Sequence, residues 1–257
     1  MGTALITGAT SGIGLELAWQ LAAARHDLVL VARSSERLER RAEEIRAAAG
    51  VRVEVLAADL GTTEGRGAVV ERLRQQSAPV GLLVNNAGFG LGQRLVGGDL
   101  SREELALEVM VRAVLELSKT AAEEMVPRRR GAILNVASIA GLTAMGTYSA
   151  HKAWVRTFSE SLASELQGTG VTVTALCPGL VRTEFHDSAG MDDSAWPSIS
   201  WLAAESVAAA GLRAVRRGQV LCTPSVRYAA LAAGLRAAPR FLVRRFAGAD
   251  HYARAVV

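Results

Sequence analysis

Tyr148 and Lys152 are the residues of this chain whose types and spacing point most directly to chemistry. They lie four positions apart, so a helix would place both on one face. A phenol has a pKa of about 10 and a neighbouring ammonium favours its charged form, so together they can exchange a proton near neutral pH. The chain has twenty-seven arginines but only two lysines, and lysine differs in being a compact charge with a movable pKa. The alternative is that both residues only pack a helix. This alternative requires that one of only three tyrosines and one of only two lysines fall four positions apart by chance.

Composition describes a globular protein and disfavours nucleic acid as a partner. Half of the 257 residues are hydrophobic and 21% are charged, and this length fits one α/β domain better than two. The net charge of +4 invites a nucleic-acid interpretation, but aromatic residues, on which bases stack, make up only 5% of the chain. We therefore expect no nucleic-acid partner.

The sequence also gives expectations about location. The N-terminus leads straight into the apolar run 3–7 with no basic segment ahead of it, which is not typical of a signal peptide. No uncharged apolar stretch reaches the roughly 20 residues that span a bilayer. Cys177 and Cys222 lie far apart in apolar runs, as buried thiols of a reducing compartment do. We expect a cytoplasmic protein and predict no metal site.

Short β-branched, apolar runs alternate with longer amphipathic stretches along the chain. The runs predict strands over 4–7, 28–32, 51–57, 80–84, 132–136, 171–176 and 219–222. The stretches predict helices over roughly 12–24, 34–49, 63–76, 102–126, 147–167, 204–216 and 226–247. Nearly continuous apolar strands are expected where helices cover both faces of a sheet. The pattern predicts an α/β fold, a Rossmann-type doubly wound parallel sheet of about seven strands, in one domain over residues 1–257.

A glycine-rich loop follows the first predicted strand, at the edge where doubly wound sheets bind ligands. Gly8, Gly12 and Gly14 have the spacing Gly-x3-Gly-x-Gly and open a helix. Such glycines let the backbone approach a pyrophosphate, whose charge the amides and dipole of the helix start stabilise. The alternative is a tight turn without a ligand, and the flanking strand and helix make the phosphate loop the better interpretation.

Four motifs occur in order along the chain. They are Thr7–Gly14, Asn85–Gly88, Tyr148 with Lys152, and Pro178-Gly179 followed by Thr183. In residue type and approximate spacing the chain resembles the short-chain dehydrogenase/reductase family over essentially its whole length. The resemblance implies a nicotinamide-dependent oxidoreductase that interconverts a carbonyl and an alcohol.

The resemblance also implies roles for individual residues. Tyr148 would donate a proton to the carbonyl oxygen while hydride reaches its carbon, Lys152 would hold the nicotinamide ribose, and Ser138 would hydrogen-bond the reacting oxygen. His151 is assigned no role. The cofactor-binding positions carried over are Gly8, Ser11, Gly12, Ile13, Gly14, Asp59 and Leu60 (adenine), Asn86 (ribose), Val181 and Thr183 (carboxamide), with Tyr148 and Lys152.

The end of the second strand distinguishes the two nicotinamide cofactors. An acidic residue there would bind the ribose 2′-hydroxyl of NAD, whereas an arginine would accept the 2′-phosphate of NADP. Arg33 follows this strand, while Asp27 lies at its other end and Glu36 comes later in the loop. We therefore expect NADP(H) rather than NAD(H), the alternative being that Arg33 is one of many solvated arginines.

Two features depart from the family's pattern. Met110 aligns with a usual asparagine whose amide helps anchor a water between the lysine and solvent; methionine lacks that amide but can fill a gap. Ser138 precedes Tyr148 by ten residues, fewer than is common, which predicts a shortened loop and leaves Thr143 as a weaker candidate for the serine's role. A second hypothesis therefore stays open: a catalytically weakened homologue that binds NADP(H) as a sensor or scaffold.

Residues 185–204 correspond to the substrate lid of the family. Their apolar members favour a lipophilic ketone, aldehyde or alcohol as the substrate, although the tryptophans could instead pack the lid onto the body. These members are Met191, Trp196, Ile199, Trp201 and Leu202.

A basic helical segment is expected over about residues 225–247, with Arg236, Arg240 and Arg244 in one stripe. Such a helix can lie on an anionic membrane surface. We favour instead that its apolar side docks on its own domain or on a sister subunit. The family resemblance implies a homodimer or homotetramer built on the helices around 102–126 and 147–167.

Overall fold

The computed structural model describes residues 2–183 and 197–248 and contains a seven-stranded parallel sheet. The strands are β1 Thr3–Thr7, β2 Asp27–Ala32, β3 Val53–Ala57, β4 Val80–Asn85, β5 Gly131–Val136, β6 Val171–Leu176 and β7 Leu221–Cys222. They are ordered β3-β2-β1-β4-β5-β6-β7, and every pairing is parallel. The winding direction reverses between β1 and β4, which is the switch point at which such sheets bind ligands. The predicted Rossmann-type α/β fold is confirmed.

Helices pack on both faces of the sheet. They are α1 Gly12–Ala23, α2 Ser35–Ala49, α3 Thr63–Arg74, α4 Leu100–Leu107, α5 Ala113–Met125, α6 Thr147–Glu165, α7 Ala204–Arg216, α8 Val226–Ala237 and α9 Arg240–Phe246. One core cluster joins the sheet to α1, α2 and α7, and a second joins it to α3, α5 and α6. Alternate residues of β1 enter the two clusters, Ile6 the first and Leu5 the second. This two-sided burial explains why the central strands are apolar throughout.

Local sequence signals set the bounds of α2, which follows β2. The hydroxyl of Ser34 accepts a hydrogen bond from the amide of Arg37 and caps the helix start. Leu38 and Ile45 bury one face of the helix. Gly50 ends it with a φ of 63°, which glycine adopts without strain. These signals hold the start of α2 at the edge of the sheet where a ligand would bind.

The predicted helix over 102–126 is interrupted by a π-helical turn. This turn, Glu108–Arg112, joins α4 to α5, and Met110 lies at its centre with 1% of its surface exposed. A π turn inserts one extra residue and re-aims the side chains around it, and such turns are frequent at functional sites. The turn therefore falls at the residue where the chain departs from the family pattern.

Residues 226–247 form two helices, so the prediction of one helix there is wrong. α8 ends at Ala237, Ala238 is extended with a ψ of 137°, and α9 begins after Pro239. Proline has no amide hydrogen and disfavours a helical residue before it. Arg236 therefore lies on α8 and Arg240 on α9, and the predicted single arginine stripe does not form.

Two further expectations concerned the substrate lid and membrane-spanning segments. Most of the expected lid, including Met191 and Trp196, lies outside the described residues. Within residues 2–183 and 197–248, no helix is both long enough and apolar enough to cross a membrane.

Candidate active site

A cavity of about 820 Å³ lies at the carboxyl ends of the strands, around the switch point. The residues that follow β1 to β5 all contribute to its wall: Gly8, Arg33, Asp59, Asn86 and Ser138. Its volume is in the range of small-molecule sites, about 300–1,000 Å³. The sheet thus brings into one cavity residues that are widely separated in sequence.

All the predicted site residues except Gly14 line this cavity. They are Gly8, Ser11, Gly12, Ile13, Arg33, Asp59, Leu60, Asn86, Ser138, Tyr148, Lys152, Val181 and Thr183. Gly14 is buried beside the loop instead, where a Cβ atom would stand 2.3 Å from the carbonyl oxygen of Gly8. Its contribution is therefore the close packing of the helix start against the loop.

The glycine loop leaves room for an anion at the start of α1. Gly8 and Gly12 have φ values of 66° and 55°, in the left-handed region. Ser11 is the N-cap of α1 but, within the described part of the chain, its side chain makes no capping hydrogen bond, unlike Ser34 and Thr62 at α2 and α3. The first-turn amides of α1 are thus left without a side-chain acceptor beside the cavity. This arrangement fits a pyrophosphate.

Asn86 and Thr7 hold β1 and β4 together at the switch point. The side-chain amide of Asn86 donates to the carbonyl oxygens of Thr7 (3.0 Å) and Gly8 (3.1 Å). The hydroxyl oxygen of Thr7 accepts from the amides of Asn86 (3.0 Å) and Ala87 (3.1 Å). Thr7 was not predicted as a site residue, although it begins the glycine motif. These bonds fix the glycine loop against the end of β4.

The cavity wall after β2 carries two arginines. Arg33 is exposed, and Arg37, in the first turn of α2, lines the same wall. Glu36 forms an ion pair with Arg40 at 2.9 Å and does not line the cavity. Arg37 was missed by the sequence reasoning, and its position one helical turn after Arg33 was the available signal. No acidic residue between 32 and 37 lines this wall, so its chemistry suits a phosphate better than a ribose hydroxyl.

Tyr148 and Lys152 lie in the first two turns of α6 and both face the cavity. The Lys152 Nζ atom is 5.7 Å from the centre of the Tyr148 ring and donates to the carbonyl oxygen of Val136 at 2.8 Å. Lys152 is buried, and this burial lowers its pKa to about 8. A buried ammonium that can lose its proton near neutral pH therefore lies beside the phenol.

Ser138 follows β5 and begins a short 3-10 helix, Ile139–Leu142. Its hydroxyl accepts from the amide of Ala140 at 3.1 Å and donates to the carbonyl oxygen of Pro178 at 3.3 Å. Thr143 also lines the cavity, but its hydroxyl donates to the carbonyl oxygen of Ala140 at 2.8 Å. The short connection to α6 still places Ser138 and Tyr148 on one cavity.

Met110 packs behind Lys152. It forms a cluster with Leu91 and Ala106, against which Tyr148 also packs. A Cβ atom built on Gly88 would lie 3.3 Å from Met110 Sδ and 3.7 Å from Lys152 Nζ, so both atoms approach one point. Met110 thus fills apolar space beside the lysine and has no hydrogen-bond donor with which to pass on a proton.

His151 is buried and does not line the cavity. Its Nδ1 atom has no hydrogen-bond partner among the described residues. Burial lowers the pKa of His151, the nearby carboxylate of Glu103 opposes this shift, and Lys152 adds to it. A buried imidazole packed away from the cavity agrees with leaving His151 without a chemical role.

A buried carboxylate fixes the start of α6. Glu103 on α4 has 5% of its surface exposed and accepts hydrogen bonds from the Thr147 hydroxyl at 2.6 Å and from Gln93 Nε2 at 3.0 Å. Thr147 directly precedes Tyr148. The sequence reasoning missed this bond, because nothing in the local sequence shows that α4 and α6 meet.

A second buried network ties α5 and α6 to the sheet. Asn85 Nδ2 donates to Asn135 Oδ1 at 2.9 Å and to the Ser118 hydroxyl at 3.0 Å. Asn135 Nδ2 in turn donates to the Ser159 hydroxyl at 2.9 Å, and that hydroxyl donates to the carbonyl oxygen of Val155. Each amide hydrogen bond links a strand end to a neighbouring strand or helix, which holds the cavity wall in register.

The cavity side beyond Tyr148 is largely apolar and reaches the C-terminal helices. Its apolar and aromatic members include Phe89, Met145, Leu180, Tyr228, Leu231, Leu235 and Phe246. Tyr228 lies over Gly179, where a Cβ would stand 2.1 Å from the ring, and its hydroxyl donates to the carbonyl oxygen of Ser200 at 2.6 Å. Tyr228 therefore closes the loop after β6 against α8.

This fold and site define a dinucleotide-binding oxidoreductase of the short-chain type. The profile of the family described as short chain dehydrogenase matches residues 2–194. The chain therefore belongs to the short-chain dehydrogenase/reductase family.

Solved structures of similar proteins agree with this assignment. A short-chain dehydrogenase from Sphingobium yanoikuyae in complex with NADPH is 34% identical, with a TM-score of 0.84 over 92% of this chain and 94% of that chain. A bulky-bulky ketone specific alcohol dehydrogenase from Comamonas testosteroni is 29% identical, with a TM-score of 0.81 over 92% of each chain. A family member from Burkholderia phymatum in complex with NAD is 27% identical, with a TM-score of 0.79 over 90% of this chain and 92% of that chain. Structures similar to this chain thus contain either nicotinamide cofactor.

Proposed function

We propose that this protein is an NADP(H)-dependent oxidoreductase that interconverts a lipophilic ketone or aldehyde and its alcohol. The observation that carries the proposal is the shared cavity: Tyr148, Lys152 and Ser138 line the same space as the glycine loop of Gly8 and Gly12. A proton donor and a dinucleotide loop facing one space are what carbonyl reduction requires.

In the proposed mechanism, the residues of this chain position the carbonyl and move its proton. Bound NADPH would supply hydride to the carbonyl carbon. The Tyr148 hydroxyl donates its proton to the carbonyl oxygen, and the Lys152 ammonium stabilises the phenolate that remains. The Ser138 hydroxyl, which in the structure donates to the carbonyl oxygen of Pro178, would turn to donate its hydrogen bond to the substrate carbonyl oxygen as negative charge develops there. Alcohol oxidation follows the same steps in reverse.

NADP(H) is proposed over NAD(H) because of the wall after β2. Arg33 and Arg37 line it and Glu36 does not, and guanidinium groups bind phosphate with charge-assisted hydrogen bonds. The relative from Sphingobium that contains NADPH supports this choice, while the relative that contains NAD keeps NAD(H) as the alternative to be measured. We place the adenine at Asp59 and Leu60, a ribose at Asn86 and the carboxamide at Thr183.

The substrate is proposed to be lipophilic because of the cavity beyond Tyr148. Phe89, Leu180, Leu231 and Leu235 line it, and burying apolar substrate surface there contributes about 25 cal/mol per Å². The similarity to an alcohol dehydrogenase specific for bulky ketones supports this substrate class.

The experiment is NADPH oxidation by the purified protein across matched ketones and aldehydes. We expect turnover that rises with apolar bulk and that NADH supports less well. Failure with every substrate, with NADPH binding retained, would contradict the oxidoreductase proposal and favour the second candidate, a sensor or scaffold that binds NADP(H).

The position of Met110 is the observation that supports this second candidate, the sensor or scaffold. Met110 fills the space beside Lys152 with a side chain that cannot relay a proton. If Met110 slows the relay, Met110→Asn should raise kcat, whereas the matched variant Met110→Leu should leave kcat unchanged. An unchanged or lower kcat in Met110→Asn, with the protein folded, would refute this effect.

We further propose a cytoplasmic homodimer or homotetramer formed by one domain of residues 1–257. The proposed interface uses α4, α5 and α6, on which Leu107 and Leu115 are 47% and 44% exposed. Sedimentation equilibrium should show an oligomer, and Leu115→Glu should weaken it, whereas Leu95→Glu, a comparably exposed leucine outside these helices, should not.

A further inference from the structure

The helix α8 is apolar on the side that faces away from the protein. Tyr228, Ala232 and Leu235 form its inner side, which packs on the body or lines the cavity. The opposite side, here called the outer face of α8, is exposed and contains Val226, Ala229, Ala230, Ala233 and Ala237. Apart from Arg227 and Arg236, the residues of α8 on both its inner and outer sides are apolar or small, and an apolar helix face is normally buried. The outer face of α8 therefore has the composition of a covered surface.

The described segment that contains the outer face of α8 is basic. Residues 225–248 contain five arginines and no acidic residue. By helical periodicity, Arg227 and Arg236 project on either side of the outer face, and α9 adds Arg240, Arg244 and Arg245. All five are exposed, and none forms an ion pair with a residue that the structure describes.

The helix α9, which follows α8 in the chain after Pro239, also exposes aromatic side chains. Phe241 and Phe246 are 61% and 66% exposed, and Arg245 lies 5.9 Å from the ring centre of Phe246. Apolar side chains beside arginines are the composition of helices that lie in the headgroup region of a membrane. Arginine forks also match the phosphate oxygens of headgroups.

We propose that the outer face of α8 and the arginines of α8 and α9 bind an anionic lipid surface. The charge decides against a second copy of this chain as the occupant. A symmetric dimer on this face would bring the same five arginines together, and like charges across an interface oppose association. An anionic bilayer instead attracts each arginine and accepts the apolar face.

The surface adjoins the cavity. Leu231 and Phe246 are partly exposed and also line the cavity wall. Docking here would hold that wall against the bilayer, from which a lipophilic carbonyl could enter. This last step rests on the proposed function, whereas lipid binding does not.

The test is co-sedimentation of the full chain with vesicles, without cofactor or substrate. Vesicles of phosphatidylcholine and phosphatidylserine in equal parts should bind the protein at least about tenfold more strongly than vesicles of phosphatidylcholine alone, because each arginine near an anionic surface adds to the attraction. Reversing two charges, Arg244→Glu with Arg245→Glu, should lower the partition coefficient at least about tenfold. Val226→Asp should also lower the partition coefficient, because it places a charge on the apolar outer face of α8.

The matched control is Arg216→Glu with Arg217→Glu. This exposed pair lies at the end of α7, before β7 and away from the cavity edge, and the variant has the same net charge. Three outcomes would each overturn the proposal. The first is an equal loss of vesicle binding in both double variants, and the second is no binding of the wild type to anionic vesicles. The third is a change of oligomeric state in Val226→Asp without a change in vesicle binding. Turnover of soluble ketones is measured separately, so failure of lipid binding leaves the proposed function standing.

Discussion

At the scale of single residues, Lys152 combines burial with chemistry. Its ammonium is removed from water, and its described hydrogen bond is to the carbonyl oxygen of Val136, at 2.8 Å. Burial lowers the pKa of Lys152 to about 8, so the charged form that stabilises a phenolate dominates only below that pH.

This pKa predicts how stability depends on pH. An unfolded lysine titrates at about 10.4, so between pH ~8 and ~10.4 the unfolded chain binds more protons and stability rises with pH. The cost of the buried charge is fully present below pH ~8. Relative to Lys152→Met, the free energy of unfolding of the wild type should rise by about 3 kcal/mol across this window.

Urea unfolding at a series of pH values measures this difference. Lys119→Met is the matched control, because it makes the same substitution at the chain's other lysine, whose side chain is 67% exposed rather than buried. A difference between wild type and Lys152→Met that stays flat from pH ~8 to ~10.4 would contradict the burial-shifted pKa.

A second prediction for a single residue concerns Arg33 and the choice of cofactor. If it binds the 2′-phosphate, Arg33→Ala should weaken NADPH binding roughly 10- to 100-fold, the value of a charge-assisted hydrogen bond of about 1.5–3 kcal/mol, and leave NADH binding unchanged. Fluorescence titration of both cofactors measures this. Arg40→Ala, which removes an exposed arginine of α2 paired with Glu36, is the control. Equal losses for both cofactors would refute the assignment.

At the scale of elements, α6 must hold Tyr148 at a fixed point of the cavity. Its start is fixed by the hydrogen bond from Thr147 to the buried Glu103 on α4, and its middle by the bond from Asn135 to Ser159. The π turn between α4 and α5 lies beside this joint and contains Met110. The position of the proton donor therefore depends on contacts between helices rather than on the motif alone.

Removing the Thr147 hydroxyl tests this dependence. Thr147→Val leaves the Glu103 carboxylate buried without one of its donors, which should cost about 1–3 kcal/mol of stability and lower kcat more than it raises the KM of NADPH. Thr147→Ser keeps the hydroxyl and should have nearly the stability and the kcat of the wild type. Urea unfolding and steady-state kinetics provide the two readouts, and a Thr147→Val enzyme with the stability and kcat of the wild type would exclude this role.

Some features of these helices could not be predicted, or were not predicted, from the sequence. The apolar pattern predicted a helix over 102–126 but not its π turn, because the stretches on both sides of the turn are helical and the pattern does not show where one extra residue is inserted. One helix over 226–247 was expected, although Pro239 was visible and breaks it into α8 and α9. The hydrogen bond from Thr147 to Glu103 joins residues 44 positions apart, so no local signal could show it.

At the scale of the whole molecule, the alternation of apolar strands and amphipathic helices along the chain predicted the architecture. Three of the motifs, Thr7–Gly14, Asn85–Gly88 and Pro178-Gly179, lie at the ends of β1, β4 and β6, and a doubly wound sheet collects its strand ends at one edge. Tyr148 with Lys152 lies in the first turns of α6 and lines the same cavity. Gly14 could be recognised as part of the loop, but only the structure shows that it packs on Gly8 rather than facing the cavity. The surface formed by α8 and its arginines depends on which faces stay exposed, and exposure is a property of the folded chain.

The central claim is that Tyr148 transfers the proton in an NADPH-dependent carbonyl reduction. Its most direct test is kcat for NADPH oxidation by wild type and Tyr148→Phe with the best ketone of the panel, with NADPH affinity measured on the same samples. The account predicts that kcat falls roughly 10²- to 10⁴-fold, the usual contribution of a general acid, while NADPH binding is retained. A Tyr148→Phe enzyme that turns over at the wild-type rate would contradict it.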